Sequence, residues 1–307
     1  MLNPLSEALV TVGRGYVRGS SISFGKVPLT VGFLNSHLRD HPRRRVVESC
    51  FGVRYAVDTQ DLIQRYIYLF GVWEPHMTRW LRQRLKPGDT YVDVGANVGY
   101  YSVLASKLVG NQGRVVAFEA SPAFHERLLQ QVRLNGCRNV RAVNAAIADA
   151  RKTLKFVLAS SHNMGANSIV PWDGEAESEF EIEAGPLTEM LGADEIASAR
   201  VIKVDVEGAE GGVIRGLAPM LDQLRPDAEI TCEVTPDRMA QLGDSADELL
   251  ETMRKHGFNA YRLANEYTPE SYLTALRGSP VVPVRLHGRI VEESDLIFSR
   301  VDAESLL

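Results

Sequence analysis

The sequence predicts an α/β protein built on a mostly parallel, Rossmann-like sheet with helices on both faces. Short apolar runs alternate with amphipathic helical stretches from about residue 90 onward. The first run, Tyr91-Val-Asp-Val94, passes through Gly95-Ala-Asn97-Val-Gly99 into a helical pattern, the strand–turn–helix of a nucleotide-binding unit. Acids stand at or near the ends of four such runs, at Asp93, Glu119, Asp205 and Glu233, and open α/β sheets bind their ligands beyond strand ends.

Residues 1–45 read as an N-terminal extension, and 46–307 as the α/β domain. Leu5 to Val17 has helical character that Gly13, Gly15 and Gly19 weaken, and Arg43-Arg44-Arg45 reads as a solvated loop. Val46 to Val57 predicts two short strands about Gly52, and Asp61 to Phe70 a helix stopped by Gly71. A second helix runs to Leu85, and Lys86-Pro87-Gly88 turns the chain into the central strand. Tyr66, Tyr68, Phe70 and Trp73 read as core.

Past Gly99 a helix ends at Gly110 and Gly113, and Arg114 to Glu119 is a second buried strand. Ser121 caps a helix with Pro122 in its first position, and Gly136 closes it. Val140 to Val143 starts a third strand. The β-α-β-α-β order implies right-handed parallel crossovers. Residues 152–183 interrupt it with a β-rich insertion around the polar loop Ser160 to Asn167, which suits either a substrate wall or a solvated hairpin tip.

Alternation resumes with a strand from Val201 to Asp205, a turn at Gly208, and a helix from Val213 to Leu224 broken near Gly216. A fifth strand spans Ala228 to Val234. Ser245-Ala-Asp-Glu248 predicts a capping box that opens a helix to His256. Phe258 to Leu263 and Leu296 to Ser299 complete seven strands.

Composition narrows the function. With 307 residues, 45% hydrophobic and 24% charged, the chain can bury a full core, and a net charge of −5 offers no broad basic field for nucleic acid. No apolar stretch is long enough to span a membrane. The N-terminus lacks the apolar core of a signal peptide. Cys50, Cys137 and Cys232 are scattered, without a C-x-x-C pair, so neither a metal site nor a disulfide framework is expected. A reducing cytoplasm is the expected setting, and homo-oligomerisation stays open.

The loop chemistry separates two cofactors. A dinucleotide fingerprint, G-x-G-x-x-G, wraps a pyrophosphate on bare backbone. Here the spacing is G-x-N-x-G, and the strand-end acid Asp93 would repel phosphate while suiting an ammonium. S-adenosylmethionine presents an ammonium and a sulfonium and no phosphate. Glu119, closing the second strand, is the expected acceptor for ribose hydroxyls.

Asp93-Val-Gly-Ala-Asn97-Val-Gly-Tyr, with Glu74-Pro upstream and Ile202-Lys-Val-Asp205-Val-Glu207-Gly-Ala-Glu210 downstream, resembles the FkbM-type S-adenosylmethionine-dependent methyltransferases from about Val46 to Ser299. The resemblance implies the class I methyltransferase fold, a seven-stranded sheet with its last strand antiparallel. It also implies methyl transfer to a hydroxyl of a sugar, polyketide or other secondary metabolite. It assigns Asp93, Gly95, Asn97 and Gly99 to the cofactor loop and Glu119, with Ala120 beside it, to the ribose. Asn144, Ala145 and Ala146 fall to the adenine, and Glu74 and Asp205 also join the cofactor set.

A hydroxyl acceptor must lose its proton. Asp205 is the first candidate base, Glu207 the second and His162 in the inserted loop the third. Asp205 equally suits binding the cofactor or orienting the acceptor, and Glu207 or Glu210 suits capping a helix or holding a turn. The alternatives are an NAD-dependent oxidoreductase, a non-catalytic S-adenosylmethionine-binding module and, less favoured by charge, a nucleic-acid methyltransferase.

Overall fold

Eight strands form the central sheet in the computed structural model, which describes residues 4–22, 24–158, 167–168, 178–278 and 281–306. They are β1 (Thr90–Val94), β2 (Arg114–Phe118), β3 (Val140–Val143), β4 (Ala199–Val204), β5 (Glu229–Val234), β6 (Asn259–Leu263), β7 (Val284–Arg285) and β8 (Ser294–Ser299). The spatial order is β7-β6-β8-β5-β4-β1-β2-β3. Strands β1 to β5 are mutually parallel, and β8 enters antiparallel between β5 and β6.

Seven strands match the reading from sequence. The eighth is β7, a two-residue edge strand on β6. Its neighbour Pro283 has no N–H to donate, which shortens any ladder there and hides the strand from pattern reading.

The strands are apolar on both faces because helices cover both. Tyr91, Val115, Val201 and Ile297 belong to one core, while their neighbours Val92, Val116, Ile202 and Phe298 belong to the other. This alternation also fixes the site. Asp93 and Lys203 share the face of Tyr91 and Val201, and they are direct cross-strand partners.

Local signals act as read at several helix ends. Asp61 caps Leu62–Phe70 by accepting the Gln64 N–H, and Gly71 ends it at φ +79. Ser121 accepts the Phe124 N–H at the start of Pro122–Asn135, and Gly136 closes that helix. One expectation changes. Ser245 precedes Ala246–Lys255 without making a side-chain cap bond, so the capping box does not form. The break read near Gly216 is present: the α-helix Glu210–Leu217 gives way to a 3-10 helix, Ala218–Gln223, with Pro219 near its start. A side chain at Gly216 would press within 2.5 Å of the Ala148 carbonyl, so glycine serves close packing.

The first 40 residues are helical over Pro4–Gly19, Lys26–Leu29, Thr30–Leu34 and Asn35–Asp40. Val10, Val17, Leu34 and Leu38 are buried in one core with Tyr66 to Phe70. Gly13 supports this helix, because a Cβ there would sit 3.1 Å from Leu34. The basic run divides. Arg43 is buried, 2.9 Å from Glu7 and bonded to the Tyr68 hydroxyl, whereas Arg44 and Arg45 are exposed.

The insertion is a small sheet. Lys152–Leu158 pairs antiparallel with Ser178–Gly185 and with Asn167–Ser168, and Ala146–Ile147 joins the other edge. The loop carrying His162 lies outside the described residues.

Candidate active site

The ends of β1, β2 and β4 are stitched together by backbone bonds. The N–H groups of Gly95 and Ala96 both donate to the Phe118 carbonyl, at 3.0 and 2.9 Å, and Asp205 N–H donates to Val94 at 3.0 Å. The turn at Gly95 crosses so close to β4 that a Cβ would overlap the Asp205 carbonyl oxygen. Only glycine fits, and its φ of +84 adds the same demand.

A cavity of about 250 Å³ opens above this junction. Among the described residues, three non-glycine residues have positive φ: Glu74 (+43), Asn97 (+52) and Glu207 (+58). All three line the cavity. Such backbone costs roughly 1–2 kcal/mol per residue and is concentrated where a site needs a particular geometry.

One end is apolar, with Phe118, Ala120, Phe124, Ala145, Ala146 and Ile147 on its walls. Glu119 stands beside them. Its carboxylate accepts the Asn97 N–H at 2.7 Å and the Ser121 N–H at 2.8 Å, which leaves lone pairs toward the cavity. Burial raises its pKa to about 7 against the pull of those two amides.

The other end is acidic. Glu74 occupies the position just before the Pro75–Arg84 helix, and its side chain makes no cap bond. It turns instead to the hydroxyls of Tyr101 and Tyr267, the latter at 3.0 Å. Lys203 Nζ lies 2.6 Å from Asp205 Oδ2 and over the Tyr101 ring. Asp205 also shares a bond with Glu233. Burial pushes Asp205 up, yet Lys203, Glu233 and Arg238 together bring it below its usual value. Glu233 is pushed well up, first by burial and then by the Asp205 charge. The opposite directions of the two shifts make Glu233 the more basic member of the pair and Asp205 the more acidic.

Not every expected residue reaches the cavity. Glu74, Gly95, Asn97, Glu119, Ala120, Ala145, Ala146, Asp205 and Glu207 line it. Asp93 does not. It points into the helix-covered face, fully buried, where Ser102 donates to it at 2.5 Å and Lys203 is its cross-strand neighbour. Gly99 packs on Leu128, and Asn144 braces the Glu119 and Ala120 carbonyls. Glu210 holds the turn after β4, accepting from Val206 and Gly208. His162 falls outside the described residues.

Several lining residues have no sequence signal of their own. Arg238 pairs with Glu207 across the mouth. Trp73, read as core with its neighbours, lines the cavity and stacks on Tyr267 with ring centroids 5.3 Å apart. Tyr267 and Glu293 come from beyond β6. Leu154 and Phe156 of the insertion supply one wall. Lys203 has a signal that pattern reading can use, a base set inside the apolar run Val201–Val204 just before the acids.

The model of the FkbM methyltransferase domain matches residues 93–260. The chain belongs to this methyltransferase family. The match spans β1 to β6 and excludes Glu74, Tyr267 and Glu293, so two walls of the cavity lie outside it. Hexuronic acid methyltransferase AglP of Haloferax volcanii is 26% identical over 230 residues, 71% of this chain and 88% of that protein. Protein-L-isoaspartate O-methyltransferase of Ignicoccus hospitalis is 32% identical over 68 residues, 22% of this chain and 32% of its own length. Among solved structures, an FkbM methyltransferase from Methylobacillus flagellatus aligns with a TM-score of 0.38 at 14% identity, covering 77% of this chain and 52% of that one. Fibrillarin of Aeropyrum pernix, with natively bound S-adenosyl-L-methionine, aligns at 0.40 and 12%, covering 83% and 82%.

The family's cofactor is S-adenosylmethionine, and the donor set fits it. The lining carries six carboxyl groups, from Glu74, Glu119, Asp205, Glu207, Glu233 and Glu293, against one arginine. That balance suits a sulfonium and an ammonium and opposes a pyrophosphate. No described helix is long and apolar enough to cross a membrane.

Proposed function

We propose that the protein transfers a methyl group to a hydroxyl oxygen of a small polyhydroxylated acceptor. The supporting observation is the Asp205–Glu233 pair with Lys203 at the acidic end of the cavity. In this reading Glu119 takes the ribose hydroxyls. Ala120, Ala145 and Ala146, with Phe118 and Phe124, enclose the adenine. Glu74 and Asp205 face the cationic end, and Asp93 and Asn97 hold the loop and the lysine in place.

When bound, the cofactor supplies a methyl group on a sulfur that is already an activated leaving group. The protein's task is therefore alignment and a place for one proton. An acceptor oxygen that receives the methyl group would become strongly acidic and would have to give up its proton to the protein. A weak base then suffices. Asp205, favoured in its ionised form by Lys203, accepts that proton, and Glu233 bonded to it holds its carboxylate in place. Glu207 is tied to Arg238 and is the less suited base. The hexuronic acid methyltransferase among the relatives supports an acceptor of sugar type. An NAD-dependent oxidoreductase is disfavoured by the acidic lining, and a silent binding module by the family match.

The test joins binding to turnover. Calorimetry should show S-adenosylmethionine and S-adenosylhomocysteine binding and no NAD binding, with the adenosyl ligands weakened in Glu119→Ala. Mass spectrometry of a sugar and polyol panel should then show a gain of one CH2 on an oxygen. NAD binding, or methylation on nitrogen alone, would overturn this reading.

A further inference from the structure

Tyr267 and Glu293, at the acidic end of the cavity, also wall a second hollow of about 160 Å³ formed by residues 262–267 and 293–295.

Three features of this hollow concern a ligand and not the fold. The first is Asn265. Both its amide nitrogen and its amide oxygen are buried, and neither completes a hydrogen bond. The amide lies near enough to Asp295 to favour that carboxylate, yet burial and the Glu74 charge still push Asp295 well up. A buried amide that leans on Asp295 without a well-formed bond at either end calls for a partner that donates and accepts, as a hydroxyl does.

The second is the aromatic floor. Trp73 and Tyr267 stack nearly parallel, 21° apart, at the junction of the two spaces. Such a pair presents a flat apolar face, which suits the C–H face of a saturated ring. The Tyr267 hydroxyl donates to Glu74 on its other side, so this floor is tied to the transfer end.

The third is charge. Two arginines border the connected spaces, and each already carries a glutamate: Arg262 on Glu292 at 2.6 Å, and Arg238 on Glu207. Glu293 and Asp295 add carboxyl groups. Among the described residues, no lining cation is left to neutralise an acid brought by the acceptor.

We infer that this hollow is the acceptor subsite, that Asn265 is its specificity-determining residue, and that it selects an uncharged polyhydroxylated ring over a carboxylate- or phosphate-bearing one. The inference rests on the methyltransferase reading above and goes further by placing the acceptor and fixing its charge. It separates this chain from a relative named for a hexuronic acid.

The test uses the full chain saturated with S-adenosylhomocysteine, with tryptophan fluorescence as the readout. Methyl glucoside and glucuronate are titrated as matched uncharged and anionic probes. Methyl glucoside should give a saturable change that is lost in Trp73→Phe, and glucuronate should bind at least about tenfold more weakly. Asn265→Leu should weaken the glucoside by a similar factor while calorimetry finds S-adenosylhomocysteine affinity unchanged. Asn265→Asp, which keeps the shape and removes the donor, should do the same if Leu disturbs folding. The subsite is overturned if the glucoside gives no response while S-adenosylhomocysteine is bound. It is equally overturned by unaltered glucoside binding in both Asn265 variants, or by glucuronate binding as tightly as the glucoside. Failure of S-adenosylhomocysteine itself to bind would instead overturn the methyltransferase reading.

Discussion

Lys203 on β4 and Asp93 on β1 are direct cross-strand partners beneath the cavity floor, and Asp205, just past the end of β4, accepts a bond from the same ammonium at 2.6 Å. One buried lysine thus serves carboxylates on two strands, with Glu74 adding to its field. Burial lowers the lysine pKa, but these acids outweigh it and hold it above the ordinary value.

Removing that cation should be severe. Lys203→Met leaves Asp93 and Asp205 without their shared counter-charge and should cost about 3–5 kcal/mol in denaturant unfolding. Lys203→Met combined with Asp205→Asn should recover part of this loss, because one uncompensated acid goes with the lysine. A double variant no more stable than the single one would contradict the shared-charge account.

Stability should fall as pH rises from about 4.5 to 7. Glu119 and Glu210 both have folded pKa values raised to about 7 by burial, against an ordinary 4.5. In that window the folded state keeps protons that the unfolded chain has released, so raising the pH favours unfolding. Each group contributes on the order of 3 kcal/mol across the window. Urea midpoints measured between pH 4.5 and 7.5 should therefore show a flatter profile in Glu119→Gln and in Glu210→Gln.

Two glycines with positive φ should respond differently to alanine. At Gly95 the new Cβ would overlap the Asp205 carbonyl oxygen, whereas at Gly136 it meets open space. Gly136→Ala should cost only about 1 kcal/mol, the left-handed backbone term. Gly95→Ala should cost more than about 3 kcal/mol or abolish folding, and should remove S-adenosylmethionine binding. Thermal melts and calorimetry of the pair check this.

Glu233 should tolerate glutamine better than alanine. If the proton of the acid pair resides on Glu233, the glutamine amide reproduces its donation to Asp205, and kcat should change little. Glu233→Ala frees Asp205 to turn away. Asp205→Asn should lower kcat by about 10²–10⁴-fold, the range for a lost general base. Steady-state kinetics on any acceptor found would separate these, and a glutamine variant as poor as alanine would place the proton elsewhere.

The α/β class, the parallel order and most strand and helix ends were legible in the residues alone. Those features depend on local patterns: the acid-terminated apolar runs at Tyr91, Arg114, Val201 and Ala228, and the caps at Asp61, Ser121 and Gly136. The sequence also placed Gly95, Asn97, Glu119 and Asp205 in one site, because open α/β sheets gather strand ends on one edge. Which way each side chain faces was settled by folding. Strand alternation turned Asp93 under the floor while its neighbour Val94 reached the cavity. Asn265, Tyr267 and Glu293 line one hollow because β8 inserts between β5 and β6 and pairs Asp295 with Leu263, which brings the 262–267 and 293–295 segments together. Contacts between segments so far apart along the chain leave no periodicity or spacing in either one, so they emerge only when the fold is closed.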